Sequence, residues 1–155
     1  IRPSLARGRE RGQPKRGGGN TIDPGRQAPT LAAMQHAPQF LRLVEQARAR
    51  VKEVTLEEAR QMLTRATPPV LLDVREDHEW AAGHAAQAIH LGKGILERDL
   101  ERMFPDPDTE IIMYCGGGFR SALTCDAAQA MGYRRVSSLV GGYKALVTAG
   151  WPIVK

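Results

Sequence analysis

Two stretches, Val70-Leu71-Leu72-Asp73-Val74 and Glu110-Ile111-Ile112-Met113-Tyr114, are apolar at nearly every position instead of every second one. A strand with one wet face alternates polar with apolar residues; one that does not must be covered on both faces, as in a parallel sheet between helices. The intervening sequence supplies the helices. Thr55-Leu56-Glu57-Glu58 fits a capping box and opens a helix over about 56–65, with Leu56, Ala59, Met62 and Leu63 facing inward, and Pro68-Pro69 ends it. A helical turn near 77–82 precedes a strand at Ala88-Ile89-His90-Leu91, and a helix near 94–104 stops at Phe104-Pro105-Asp106-Pro107. Arg120 to Met131 is helical and closed by Gly132, Arg135 to Leu139 is a strand, and Gly142 to Ala149 a last helix before Gly150-Trp151-Pro152. With a very short strand at Val54, the alternation predicts an α/β fold: a mostly parallel central sheet of about five strands, flanked by helices on both faces.

The formal charge of +5 suggests a polyanion binder until it is divided along the chain. Residues 1–33 hold seven basic residues against Glu10 and Asp23, together with six glycines and four prolines, while the 15 basic and 15 acidic residues that follow cancel. Residues 1–33 lack an apolar pattern and are expected to form a disordered tail, a linker or sequence upstream of a start at Met34. No aromatic residue is interleaved with its arginines to stack on bases, so nucleic acid is not expected as a partner of the folded part. Residues 34–52 are expected to form an amphipathic helix, with Phe40, Leu41, Leu43, Val44, Ala47 and Val51 at helical spacing, whose apolar stripe either packs on a domain spanning 53–155, the favoured use, or dimerises. No window approaches the roughly 18 apolar residues of a membrane span, and no signal sequence is visible. Two cysteines cannot build a disulfide framework; with the missing signal, they make cytoplasmic residence the expectation.

The chemistry gathers where the Glu110–Tyr114 strand ends. Ligands of open α/β sheets bind beyond the carboxyl ends of the strands, and there stands Cys115, followed by Gly116-Gly117-Gly118-Phe119-Arg120-Ser121 and a helix. Consecutive glycines let backbone N–H groups converge into an anion-binding nest, and the helix N-terminus adds partial positive charge. Such surroundings favour a thiolate nucleophile without a histidine base. Gly116, Gly117, Gly118, Phe119, Arg120 and Ser121 are therefore the candidate substrate-binding residues around Cys115, with Arg120 supplying a cation at the rim. Asp73 and Arg75, beside the same strand, are candidate supporting residues or a structural ion pair. His84 and His90 read as structural, since neither has a partner at metal-ligand spacing. Cys125, with Ala122, Leu123 and Ala128 around it at helical spacing, reads as a core residue.

Over about Val54 to Val154 the sequence resembles the rhodanese-like sulfurtransferases. Leu72 to Glu76 is similar to their strand-end Asp-x-Arg motif, and Glu79-Trp80-Ala81-Ala82-Gly83-His84 to their Glu-(aromatic)-x-x-Gly-His element. Ala88 to Leu91, the loop Cys115 to Ser121, and Leu139-Val140-Gly141-Gly142-Tyr143 follow in family order. Single-domain bacterial members resemble it most, through Gly94-Ile95-Leu96-Glu97 and the glycine loop; Ala86-Gln87 departs, standing where many members carry Pro-Gly. The resemblance implies sulfur transfer from thiosulfate or a persulfide, through a Cys115 persulfide, to a thiophilic acceptor such as cyanide or a cellular thiol. It implies no metal or organic cofactor and no membrane. Two alternatives remain. One is a rhodanese-like regulatory or partner-binding module, although such modules commonly lack the cysteine. The other is a phosphatase or arsenate reductase; these use Cys-x5-Arg, whereas Cys115 and Arg120 enclose four residues and Tyr114 stands where such phosphatases usually carry histidine.

Overall fold

The computed structural model describes residues His36–Lys155. The tail expected over 1–33 lies outside them. The chain runs α1 (Pro38–Arg48), β1 (Lys52–Val54), α2 (Leu56–Leu63), β2 (Val70–Asp73), α3 (Asp77–Ala82), β3 (His84–Ala85) and β4 (Ile89–His90). A 3-10 turn at Lys93–Ile95 leads into α4 (Leu96–Met103), followed by β5 (Ile111–Tyr114), α5 (Phe119–Ala130), β6 (Val136–Leu139), α6 (Gly142–Thr148) and β7 (Ile153–Val154).

Five strands form one sheet in the order β1-β6-β5-β2-β4, and every pairing within it is parallel. The two apolar runs are neighbours, with Val70 opposite Ile111 and Asp73 opposite Tyr114. Successive residues of these strands serve opposite faces. Leu72, Val74, Ile111, Met113 and Cys115 join Val44 of α1, Leu96 and Leu100 of α4, and Ala122, Cys125 and Ala128 of α5 in one apolar layer. Leu71, Ile112, Tyr114 and Leu139 join Ala59 and Met62 of α2, Leu146 of α6 and Trp151 in the other. The expected α/β sheet with helices on both faces is therefore the fold observed. Among the described residues no helix is long and apolar enough to cross a membrane.

Local signals account for the element ends. Thr55 accepts the Glu58 N–H while the Glu58 carboxylate accepts the Thr55 N–H, so the capping box that starts α2 is complete. α1 packs on α5 and ends at Arg48, short of the helix expected over 34–52, because the chain turns into β1 at Lys52; its apolar face is also narrower than the sequence suggests. Val44, Ala47 and Val51 are buried, whereas Leu41 and Leu43 face solvent, because α1 covers only one flank of the domain. The antiparallel pair β3–β7, which joins His84 to Val154 and Ala85 to Ile153, was not anticipated: two residues per strand carry no readable period. At the Ala86-Gln87 departure, the Gln87 side chain accepts the Trp151 indole N–H at 3.3 Å.

Candidate functional site

Cys115 is the first residue beyond β5, and α5 begins four residues later, so the glycine loop lies at the carboxyl edge of the sheet. Cys115 is only 1% exposed. Its Sγ accepts the Gly118 N–H at 3.2 Å and lies 3.5 Å from the Ser121 hydroxyl, the two polar contacts of the sulfur among the described residues. Gly118 has φ +95°, and a β-carbon there would crowd the Gly141 nitrogen and Leu139 oxygen at 3.2 and 3.3 Å. The turn that aims this N–H at sulfur thus requires glycine.

The outer side of the loop is held by α6. Tyr143 N–H donates to the Cys115 carbonyl at 2.7 Å and Lys144 N–H to that of Gly116 at 3.1 Å. The amides left without helical partners at the start of α6 thus find acceptors, and the Cys115 and Gly116 carbonyls are taken up by α6. Gly141-Gly142-Tyr143, noticed in the sequence only as part of a resemblance, is the socket of the loop.

Arg120, expected to supply a cation at the rim, is bound to Glu79 through two hydrogen bonds of 2.6 and 2.9 Å. Those bonds, chiefly, hold the Glu79 carboxyl at about 2, well below its usual range. Glu79 also accepts the Glu76 N–H and so caps α3. It was absent from the residues singled out for the site; its place in the Glu-Trp-x-x-Gly-His element was the available signal.

Asp73 and Arg75 form an ion pair that is 0% and 3% exposed. Arg75 Nε reaches both Asp73 oxygens at 3.1 Å, and its Nη2 bonds Asp73 Oδ2 and the Gly83 carbonyl at 2.8 and 2.7 Å. The guanidinium lies 3.9 Å from the Tyr143 ring centre, which links this pair to the socket. Trp80 stacks between His84 and His90, and one ring nitrogen of each histidine is engaged with a backbone carbonyl, His84 Nδ1 with that of Trp80 and His90 Nε2 with that of Arg75. Cys125 is fully buried within α5, and burial pushes its thiol up, away from ionisation. Phe119 packs against His36 and Arg48 beside α1 and also lines a groove of about 570 Å³ with Gly117, Leu56, Ala145 and Lys144.

A parallel α/β sheet with a cysteine-led glycine loop at a strand's carboxyl edge defines a cysteine-loop α/β domain. Residues 55–149 match the family described as rhodanese-like domain, and the chain belongs to that family. A protein of Allochromatium vinosum named sulfurtransferase is 32% identical over 104 residues, which cover 67% of this chain and 95% of that protein. A Rhodopseudomonas palustris structure, described as of unknown function and a possible tyrosine phosphatase, is 26% identical. It superposes with a TM-score of 0.68 over 77% of this chain and 98% of that one. The polysulfide-sulfur transferase homodimer of Wolinella succinogenes shares the fold at 24% identity and a TM-score of 0.64, over 75% of this chain and 87% of that one. Sulfur transfer is thereby supported at the level of the family.

Proposed function

We propose that the protein transfers sulfane sulfur through a persulfide on Cys115. The observation that carries this reading is the seat of its sulfur. Sγ stands just beyond a strand, receives the Gly118 N–H and adjoins the Ser121 hydroxyl, while α6 takes up the Cys115 and Gly116 carbonyls. With thiosulfate as donor, the Cys115 thiolate attacks the sulfane sulfur. A new S–S bond forms to Sγ, the bond to the sulfonate sulfur breaks, and its electron pair leaves with sulfite. The persulfide anion is held by loop donors from 116–121, preorganised for negative charge. A thiophilic acceptor, cyanide in an assay or a thiol in the cell, then takes the outer sulfur and restores the thiolate. The groove beside Gly117 and Phe119 offers the acceptor an approach. Arg120 binds an anionic donor by exchanging one of its Glu79 bonds, and Asp73 and Arg75 support the socket through Tyr143. In this reading residues 53–155 carry the chemistry.

The loop argues against phosphate chemistry. Four residues separate Cys115 from Arg120, and the guanidinium that would cover a phosphate is bound to Glu79. The test is mass spectrometry after incubation with thiosulfate, run beside aryl-phosphate hydrolysis. A gain of one sulfur atom on Cys115, removed by cyanide, is the expected result; efficient phosphate hydrolysis without sulfur loading overturns the reading. Absence of both activities would identify a binding module.

A further inference from the structure

We propose that Ser138 is a positioning residue for the Cys115 sulfur, acting through Ser121. Ser138 lies on β6 opposite Met113, on the sheet face that carries α5, and is 1% exposed. Its hydroxyl has one partner among the described residues, the Ser121 hydroxyl at 2.7 Å, and Ser121 is the residue 3.5 Å from Cys115 Sγ. A buried hydroxyl is costly unless it is bonded, and this one is bonded only toward the sulfur.

Each serine carries one hydroxyl proton, so the chain has two directions. When Cys115 is a thiolate, Ser138 donates to Ser121 and Ser121 donates to sulfur. When the sulfur is protonated, the thiol donates to Ser121 and Ser121 to Ser138. No proton crosses the chain in either state; the hydroxyls rotate. Ser121 lies in the first turn of α5, where a serine hydroxyl tends to turn back on a carbonyl three or four residues earlier, here Gly118 or Gly117. Thr124 does not compete for it, because its hydroxyl donates to the Ser121 backbone carbonyl. Ser138 is the group that holds the Ser121 hydroxyl toward the sulfur and, in the thiolate state, polarises it by donation.

The inference rests on Cys115 being the nucleophile, and its test reads the sulfur independently of sulfur transfer. Wild type, Ser121→Ala, Ser138→Ala and the double variant are alkylated with iodoacetamide at neutral pH, and the adduct on Cys115 is timed by mass spectrometry. Each single variant should slow alkylation about fivefold, and the double variant should be no slower than Ser121→Ala, since Ser138 acts only through Ser121. Ser138→Cys, which keeps the volume but is a weak donor, should behave like Ser138→Ala. In thiosulfate–cyanide turnover the same factor should fall on kcat, with KM for thiosulfate unmoved. Wild-type alkylation in both Ser138 variants, or effects that multiply in the double variant, overturns the proposal. Failure of wild type to load sulfur while the alkylation pattern holds would count against the sulfurtransferase reading alone.

Discussion

The carbonyl oxygen of Cys115 occupies the space that a β-carbon on Gly142 would need. Gly142 also has φ +53°, a conformation that costs side-chain-bearing residues about 1 kcal/mol or more. Gly142→Ala should therefore displace the loop from its socket and lower sulfur transfer at least about tenfold, the scale expected when a preorganised donor site shifts. Gly150→Ala is the control: its φ is +68°, but nothing lies within 4 Å of the new β-carbon. It should cost some thermal stability and leave turnover near wild type. Equal turnover in the two variants would show that the socket does not govern the loop.

Cys115→Ala should remove sulfur transfer and leave the thermal unfolding midpoint close to wild type. Cys125→Ala should do the reverse, losing about 1 kcal/mol of stability from a small core void while keeping most of its turnover. The fully buried Cys125 thiol, raised by burial, has no path to the donor. Comparable loss of turnover in two folded variants would place Cys125 in the chemistry.

The Glu79–Arg120 pair predicts an acid dependence of stability. Glu79 is lowered from 4.5 to about 2 in the folded protein, so the unfolded chain binds its proton more readily. The contribution is full above pH 4.5 and is lost as pH falls toward 2. Because both side chains are about one quarter exposed, its size is on the order of 1–2 kcal/mol. Glu79→Gln should be less stable than wild type at pH 7, and the difference should shrink as unfolding is followed toward pH 2. A difference that does not change with pH would assign the loss to α3 capping alone.

Asp73→Asn should destabilise more than any variant above, by about 3–5 kcal/mol, because it strands the buried Arg75 cation. Reversing the order of loss tests the role assigned to the pair: denaturant unfolding and turnover are measured on the same samples. Turnover per folded molecule should fall little, since Arg75 touches the socket of the loop through the Tyr143 ring and not the sulfur itself. A stable variant with abolished turnover would move Asp73 into direct contact with the reaction.

Much of this was legible in the chain. The apolar runs at β2 and β5 identify strands covered on both faces, the Thr55–Glu58 box marks the start of α2, and the cysteine-led glycines stand where such sheets bind ligands. Arg120 shows the boundary. Its proximity to Cys115 along the chain is plain, but the partner that takes its charge is 41 residues away on a short helix. Glu79, Gly142 and Ser138 were not marked as site residues for the same reason, since each acts on the loop from a different element.

By itself, then, the sequence determined the segments that become the helices and the five strands of the central sheet, that this sheet is parallel and doubly covered, and which sulfur stands at its edge. These follow from apolar period, capping and backbone freedom, which act over a few residues. The tertiary structure alone decided the electrostatic state of that edge. Strand order sets β6 beside β5, which puts the Ser138 hydroxyl near the Ser121 hydroxyl. The turn after β6 lays the first amides of α6 on the Cys115 and Gly116 carbonyls, and α3 delivers Glu79 to Arg120. Hydrogen bonds and ion pairs depend on distances of about 3 Å between groups far apart in the chain, and only the packed sheet sets those distances.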